Sequence, residues 1–354
     1  MFGLLMPCLQ NLVYHTLASG ASPGTLKFGR SLGLAYNHPK AMLVAIIVSY
    51  NVRQYLERCL ETLLADLATS GVGGEVWVFD NASTDGSPEM VKEKFPEVKL
   101  HAHEANIGFA SANNFVMRKL LASPSPPDYF FILNPDTEVL PGATRTLVKF
   151  MEENPQAALV GPKLLNPDGS IQPSAFKFPG LVQTFFDFFP THPRLYSSPL
   201  NGRYPGFLYR KGKPFAIDHP LGAAMLVRRK AVEEVGLMDE GFFIYCEEID
   251  WCLRFKKAGW RIYCVPQAEV IHHIAKSTSR FPEKAMVELW KSRYRFFSKH
   301  KGLLFVKAFR TLVNLGLNYW AMRDSRLARE GLISPEELSR RLETYKTIRG
   351  VLSQ

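Results

Sequence analysis

The sequence predicts an α/β fold: a mostly parallel, Rossmann-like sheet flanked by helices, followed by an amphipathic helical segment. Three observations predict it. Short β-branched or aromatic runs alternate with stretches of helical spacing, the pattern of βαβ units. The first run, Leu43 to Val48, is apolar at every position, as a strand buried on both faces is. Three runs stop at polar clusters, Ser49-Tyr50-Asn51, Asp80-Asn81 and Asn134-Pro135-Asp136. In open α/β sheets ligands bind beyond the carboxyl ends of strands, which is where these clusters fall.

The elements follow in order. Leu43 to Val48 is the first strand, and Tyr55 to Leu67 is a helix with Leu56, Leu60, Leu63, Leu64 and Leu67 on one face. Glu75 to Phe79 is the second strand, leading into the turn-rich Asp80 to Ser87 with a helix start behind it. Val98 to His101 is a third strand, Gly108 to Leu121 a helix, Tyr129 to Leu133 a fourth strand and Thr144 to Glu153 another helix. The second half is less regular. Asn166 to Ser170 is a turn, and Phe176 to Gly212, rich in aromatics, Pro and Gly, reads as an irregular lid or acceptor-facing segment. Leu221 to Val227 and Arg261 to Val265 read as strands, the latter leading to His272-His273. From Pro282 to Arg323 the pattern is helical and amphipathic, and Ser334 caps a short terminal helix. There is no GxGxxG and no GxxxxGK[ST], which argues against dinucleotide dehydrogenases and P-loop NTPases.

Hydrophobic content of 46% in 354 residues supports a sizeable core. The net charge of +10 is uneven: Lys276 to Arg349 holds seventeen Lys/Arg against seven Asp/Glu, a surplus as large as that of the whole chain. A basic tail on a neutral body suggests an anionic surface as partner. Nucleic acid is disfavoured, because no helix-turn-helix or RNP-like element accompanies the charge. The five Cys, odd in number and without a CxxC pair, fit buried thiols in a reducing compartment. No apolar stretch is long enough to span a membrane. Residues 1–41 read as an N-terminal extension, either disordered or peripheral, or not native and preceding a natural initiator at Met42. Residues 42–281 read as the main domain, and 282–354 as a basic helical segment.

The most informative stretch is Glu240 to Phe255, where Glu247, Glu248 and Asp250 follow an aromatic run. Partial burial and like-charge neighbours can raise one carboxylate into the range of a base at neutral pH. The cluster reads equally as an acidic helix N-terminus stabilised by the dipole.

Seven motifs in order break that tie. They are Val48-Ser-Tyr-Asn51, Asp80-Asn-Ala-Ser-Thr-Asp-Gly-Ser87, Asn106-Ile-Gly-Phe-Ala110 with Asn113-Asn114, Asn134-Pro-Asp-Thr137, Asp168-Gly-Ser-Ile-Gln172, Gly222 to Arg229, and Phe242 to Arg254. Together, over Met42 to His300, they resemble the inverting family 2 glycosyltransferases of GT-A fold, in the bacterial rhamnosyltransferase-like branch. The resemblance implies a sugar moved from a nucleotide donor, dTDP-rhamnose, to a lipid-linked or polysaccharide acceptor of the cell envelope. A UDP-hexose donor, or a catalytically silent nucleotide-sugar-binding protein, is the alternative. It implies Glu248 as base, beside Glu247, at a position where the family carries Asp. Asp250 would cap or orient through Arg254. Asp80 would accept from the pyrimidine N3–H with Tyr50 against the base face, and Ser49, Asn51, Asn106 and Asn134 belong to the nucleotide-sugar motifs. Asp136, the last residue of a reduced DXD-like element, and His272 rather than His273 would hold Mg2+ or Mn2+. The His272-to-Ser277 spacing matches the family, with Ile274 and Ala275 in place of its glycines. A lipid-linked acceptor implies a cytoplasmic protein peripheral to the inner membrane face. Lys284 to Arg329 would make that contact through Leu303, Leu304, Phe305, Phe309, Leu312 and Trp320. The sequence leaves the oligomeric state open.

Overall fold

The computed structural model describes residues 41–196, 198–274 and 282–353. The expectations for an N-terminal extension and for Ser277 lie outside the described residues. The chain begins with β1 (Met42–Ser49), α1 (Arg53–Ser70), β2 (Gly73–Asp80), α2 (Ser87–Lys94), β3 (Lys99–Ala102), α3 (Phe109–Leu121) and β4 (Tyr129–Leu133). β1 pairs in parallel with β2 and β4, and β2 with β3. From Leu43 onward every β1 side chain is buried, and alternation sends them to two cores. Leu43, Ala45 and Ile47 pack with Leu56, Leu60 and Leu63 of α1. Val44, Ile46 and Val48 pack with Val116 and Leu120 of α3. Burial on both faces is why the run shows no polar alternation.

Next come β5 (Thr137–Val139), α4 (Ala143–Glu153), β6 (Ala157–Leu165), β7 (Ile171–Gln172) and β8 (Ala175–Phe176). The stretch expected to be irregular holds α5 (Leu181–Phe188), α6 (Pro193–Tyr196), a 3-10 turn and α7 (Gly206–Arg210). Then follow β9 (Phe215–Ala216), β10 (His219–Pro220), β11 (Ala224–Arg228), α8 (Arg229–Val235), α9 (Glu247–Lys257) and β12 (Arg261–His272). The main path of the sheet runs β3-β2-β1-β4-β11-β6-β12-β5. β11 is antiparallel to both β4 and β6, whereas β12 runs parallel to β6. A strand reached through a long excursion is free of the constraint that a βαβ crossover imposes, so β11 inserts against the parallel direction. β12 continues past its expected end at Val265 because the ladder shifts register between Val265 and Glu269, where a bulge accommodates Pro266.

The amphipathic run after residue 282 is three helices: α10 (Pro282–His300), α11 (Leu303–Arg329) and α12 (Pro335–Ser353). They close a third core with α5, built on Phe188, Trp290, Phe297, Phe309, Trp320 and Tyr345 and joined by Phe242 and Cys246. Gly316 lets α11 touch α5, since a Cβ there would collide with the Phe188 ring. The apolar face expected at a membrane is therefore largely spent on packing: Phe309 and Trp320 are fully buried. Leu303 and Leu304 remain 81% and 83% exposed. Many cations of this segment are likewise paired with acids. Arg293 meets Asp187, Arg295 and Lys299 meet Asp239, and Arg341 meets the buried Asp324.

Candidate functional site

Register brings the polar clusters to one edge. Ser49 lies opposite Asp80 at the carboxyl ends of β1 and β2. β4 ends beside them, and the Asn134 N–H donates to the Ala223 carbonyl at 2.8 Å, just before antiparallel β11 begins. The neighbouring Gly222 lies against the carboxylate pair: a Cβ there would sit 3.5 Å from the Glu248 carboxyl carbon. Asp80 and the Asn134–Asp136 turn thus stand at the carboxyl ends of β2 and β4, and Glu248 lies against Gly222 beside the start of β11, although the three are far apart in the chain.

The loops after β1 and β2 brace each other. Asn51 donates its N–H to Ser83 Oγ at 2.9 Å and accepts from the Thr84 N–H at 2.7 Å. Asn51 therefore shapes the loop. Asn106 accepts from the Gly108 N–H at 3.0 Å and holds its own turn. Gly108 has φ +85, and a Cβ there would collide with the Phe243 carbonyl, so this loop is pressed against the aromatic run before α9. Asp80 is buried, and its Oδ1 accepts from the Ser83 N–H at 2.8 Å. Its Oδ2 has no hydrogen-bond partner among the described residues, and neither has the buried Ser49 Oγ. Desolvation holds the Asp80 carboxyl above its ordinary range despite the Ser83 hydrogen bond. A buried acceptor without a donor, at a strand end, suits an N–H brought by a ligand.

Asp136 and His272 are both buried, with His272 Nε2 3.4 Å from Asp136 Oδ1. His272 Nδ1 lies 2.8 Å from Gln172 Oε1, and Gln172 Nε2 donates to Asn166 Oδ1 and to the His272 carbonyl. With the amide nitrogen so engaged, Gln172 presents its oxygen. That puts the imidazole proton on Nδ1 and leaves the Nε2 lone pair facing Asp136. His272 Nε2 has no hydrogen-bond partner among the described residues. His273 instead meets Glu138 Oε1 at 2.8 Å and packs against Tyr55. No group of three His, Cys, Asp or Glu gathers around a common point among the described residues. The pair fits a divalent cation whose remaining ligands come from substrate and water.

Glu247 and Glu248 open α9 behind Tyr245 (φ 69) and Cys246 (φ 67), two successive residues in the left-handed region. Asn51, Ala82 and Ile274 also have positive φ. Such strain costs of order 1–3 kcal/mol per residue and persists where the surroundings over-determine it. The helix dipole favours ionised carboxylates in the first turn, but burial outweighs it here. Desolvation pushes Glu248 up to about 7, against hydrogen bonds from its own N–H and that of Ile249. Desolvation and then the Glu248 charge hold Glu247 well above the usual range. The two carboxyls titrate as a unit, and burial favours their protonated forms. Each has one buried oxygen without a hydrogen-bond partner among the described residues. Asp250 is fully buried among cations: Arg254 Nε at 2.8 Å, Lys299 Nζ at 2.8 Å and His300 Nε2 at 2.7 Å. Burial opposes its ionisation, yet these contacts lower its pKa. Asp250 ties α9 to α10.

A cavity of about 230 Å³ adjoins Glu248, between β8, α5, the start of α9 and α10. Lys177, Arg203, Arg293 and Trp290 line it, and sequence reasoning assigned none of them. Gln172 stood inside a motif without a role. Its signal, a polar residue in a short strand, is one that many structural residues share.

The glycosyl transferase family 2 model matches residues 44–236. The chain is 33% identical over 277 residues to the N-acetylglucosaminyl-diphospho-decaprenol L-rhamnosyltransferase of Mycobacterium tuberculosis, covering 74% of this chain and 86% of that protein. It is 27% identical to the rhamnosyltransferase WbbL of Escherichia coli, covering 73% and 94%. Among solved structures, the mannosyltransferase PcManGT of Pyrobaculum calidifontis, in complex with GDP-Man and Mn2+, superposes with a TM-score of 0.51 at 18% identity, over 88% of this chain and 87% of that one. GalNAc-T7 with UDP, GalNAc and Mn2+ gives 0.53 at 16% identity, over 74% and 48%. These two likenesses bear on the fold alone. The crevice at the strand ends and the match over more than half of the chain lead to one conclusion: this chain belongs to glycosyl transferase family 2 and is a glycosyltransferase of GT-A fold.

Proposed function

We propose that the chain transfers rhamnose, with inversion, from dTDP-rhamnose to a hydroxyl of a lipid-linked acceptor in cell-envelope glycan synthesis. The sugar and the acceptor class rest on the relatives' names. The chemistry rests on one observation: Glu248, held at about 7, lines the cavity beside the strand-end crevice, whereas Glu247 does not. In the reaction the acceptor oxygen bonds to the anomeric carbon as the bond from that carbon to the diphosphate oxygen breaks. The acceptor proton passes to Glu248, and the nucleoside diphosphate leaves. Gly222 leaves room for the longer Glu248 side chain, which a Cβ there would meet at 3.5 Å. Asp80 Oδ2 accepts the pyrimidine N3–H while Ser83 holds Oδ1, and Tyr50 stands at the adjoining strand end. Asp250 positions the first turn of α9 through Arg254 and α10.

Asp136 and His272 would hold Mg2+ or Mn2+, with Gln172 fixing the imidazole tautomer. Such a cation supplies neutralisation of the charge gathering on the leaving diphosphate. No described helix is long and apolar enough to cross a membrane. Peripheral attachment to the inner membrane face is proposed through the exposed Leu303 and Leu304, with the exposed Lys301 and Lys307 beside them. The domain limits, 42–281 and 282–354, are part of the same proposal, with the helical segment completing the wall next to Glu248. The test is turnover with a panel of dTDP- and UDP-sugars, with the anomeric configuration of the product read by NMR. Preference for dTDP-rhamnose with inversion supports the reading. A UDP-hexose preferred over it, or retention of configuration, overturns it.

A further inference from the structure

The loop that leads into α9 runs between two helices that hold it from opposite sides. At its start the fully buried Asn114 of α3 accepts from the Met238 N–H at 3.1 Å. Its amide nitrogen donates to the Met238 carbonyl at 2.8 Å and to Glu240 Oε1 at 2.9 Å. Asp239, between them, turns the other way and meets Arg295 and Lys299 of α10 at 2.8 and 2.7 Å. The alternation continues along the loop. The Phe243 carbonyl accepts from the Phe109 N–H, at the head of α3, at 2.8 Å. The next carbonyl, that of Ile244, accepts from Oγ of the buried Ser292 of α10, also at 2.8 Å.

These contacts fall immediately before Tyr245 and Cys246, the two successive left-handed residues, and Glu248 follows in the first turn of α9. Cys246 is the N-cap of that helix, and its side chain makes no capping hydrogen bond. A helix that starts without a side-chain cap and behind a strained backbone takes its entry geometry from donors outside it. Ser292 grips the carbonyl of the peptide that joins Ile244 to Tyr245, and the orientation of that peptide sets the first left-handed residue. The ion pairs along the loop are of less weight: Arg118, Arg295 and Lys299 are 56%, 44% and 34% exposed, and pairs so open to water contribute little. Asn114 and Ser292 are uncharged and buried, so their loss leaves backbone polar groups unpaired. We propose that Asn114 and Ser292 are positioning residues for glycosyl transfer: from α3 and α10 they lace the loop in place and so set the Glu248 carboxylate at the cavity. This rests on the reading of Glu248 as the base and deepens it. It gives the C-terminal helical segment a part in the reaction, through Ser292.

The test measures kcat of the full chain with the donor preferred in the panel above and N-acetylglucosaminyl farnesyl diphosphate as acceptor. Calorimetry with the matching nucleoside diphosphate counts competent donor sites, so that any unfolded fraction is divided out. Ser292→Ala is expected to lower kcat per competent site by roughly 3–10-fold, the worth of one neutral hydrogen bond. Asn114→Asp still accepts from the Met238 N–H but sets a carboxylate against Glu240 and the Met238 carbonyl. It is expected to lower kcat by roughly 10–100-fold. Adding Glu240→Gln, whose amide can donate to that carboxylate, should recover roughly 3–10-fold of the loss. Nucleotide affinity stays unchanged throughout, and amide hydrogen exchange over residues 243–249 quickens in Ser292→Ala and Asn114→Asp. Wild-type kcat in both variants overturns the proposal, as does a loss that vanishes when expressed per competent site. No recovery on adding Glu240→Gln removes Asn114 from it. Failure of the Glu248 reading shows separately, as full turnover in Glu248→Gln with the exchange result unmoved.

Discussion

Glu248→Gln should inactivate the enzyme and stabilise it, and the structure sets both magnitudes. A general base contributes about 10²–10⁴-fold, so turnover falls by that factor while donor binding stays near wild type. The stability effect follows from the raised pKa. In the unfolded chain Glu248 titrates at its ordinary 4.5, and in the folded chain at about 7. Between these values the native state binds more protons than the unfolded state, so stability falls as pH rises through the window and levels off above about 7. At 1.36 kcal/mol per pKa unit the gap corresponds to about 3 kcal/mol. Gln carries no such penalty. The variant should match wild type near pH 4 and exceed it by up to about 3 kcal/mol at pH 8, an increase in Tm of about 5 °C for a chain of this size. The assay is thermal unfolding of both proteins from pH 4 to pH 8.5, alongside turnover at fixed donor and acceptor. Wild-type kcat/KM should rise with pH through about 7 and then flatten. Equal stability at all pH values, or a dead Glu247→Gln beside an active Glu248→Gln, would refute the assignment.

Other outcomes follow from the same geometry. Asp80→Asn replaces the acceptor facing the crevice and should weaken pyrimidine nucleotide binding by about 10–100-fold in calorimetry, the range for a charge-assisted hydrogen bond; unchanged affinity would remove Asp80 from base recognition. Gln172→Leu releases the His272 tautomer and should lower Mn2+ affinity by about 10–100-fold, read by direct titration without turnover; Asp136→Ala should do at least as much, and full activity in excess chelator would exclude the metal altogether. Leu303→Ser/Leu304→Ser should reduce co-sedimentation with anionic vesicles by several-fold without changing Tm, because neither side chain enters the core. Vesicle binding that is absent at low salt in wild type would end the membrane reading.

The parts legible in the sequence are those whose cause is local. β1 reads as a strand because both of its faces are buried, and the polar clusters read as strand ends because each breaks an apolar run. The carboxylates of α9 stand out because they crowd within one helical turn. What stayed hidden depends on partners that are remote in the chain. β11 runs antiparallel because of the path taken between β6 and β11, which hydrophobic periodicity does not encode. The cavity draws on segments from Phe176 to Trp320, so no local pattern marks Arg203 or Trp290.

Charge is the sharpest case. Counting Lys and Arg from 276 to 349 gives a surplus, but Asp187 of α5, Asp239 of the loop before α9 and Asp250 of α9 lie before that segment and pair with Arg293, Arg295 and Lys299. A run of like charge measures what a segment brings to its neighbours as well as what it offers to an outside surface. The electrostatic term left for a membrane is therefore smaller than the count implies. The exposed Lys301 and Lys307 stand beside the two leucines that the core leaves out. Attachment should accordingly depend on those leucines more than on the number of basic residues, with a salt dependence shallower than the full surplus would produce.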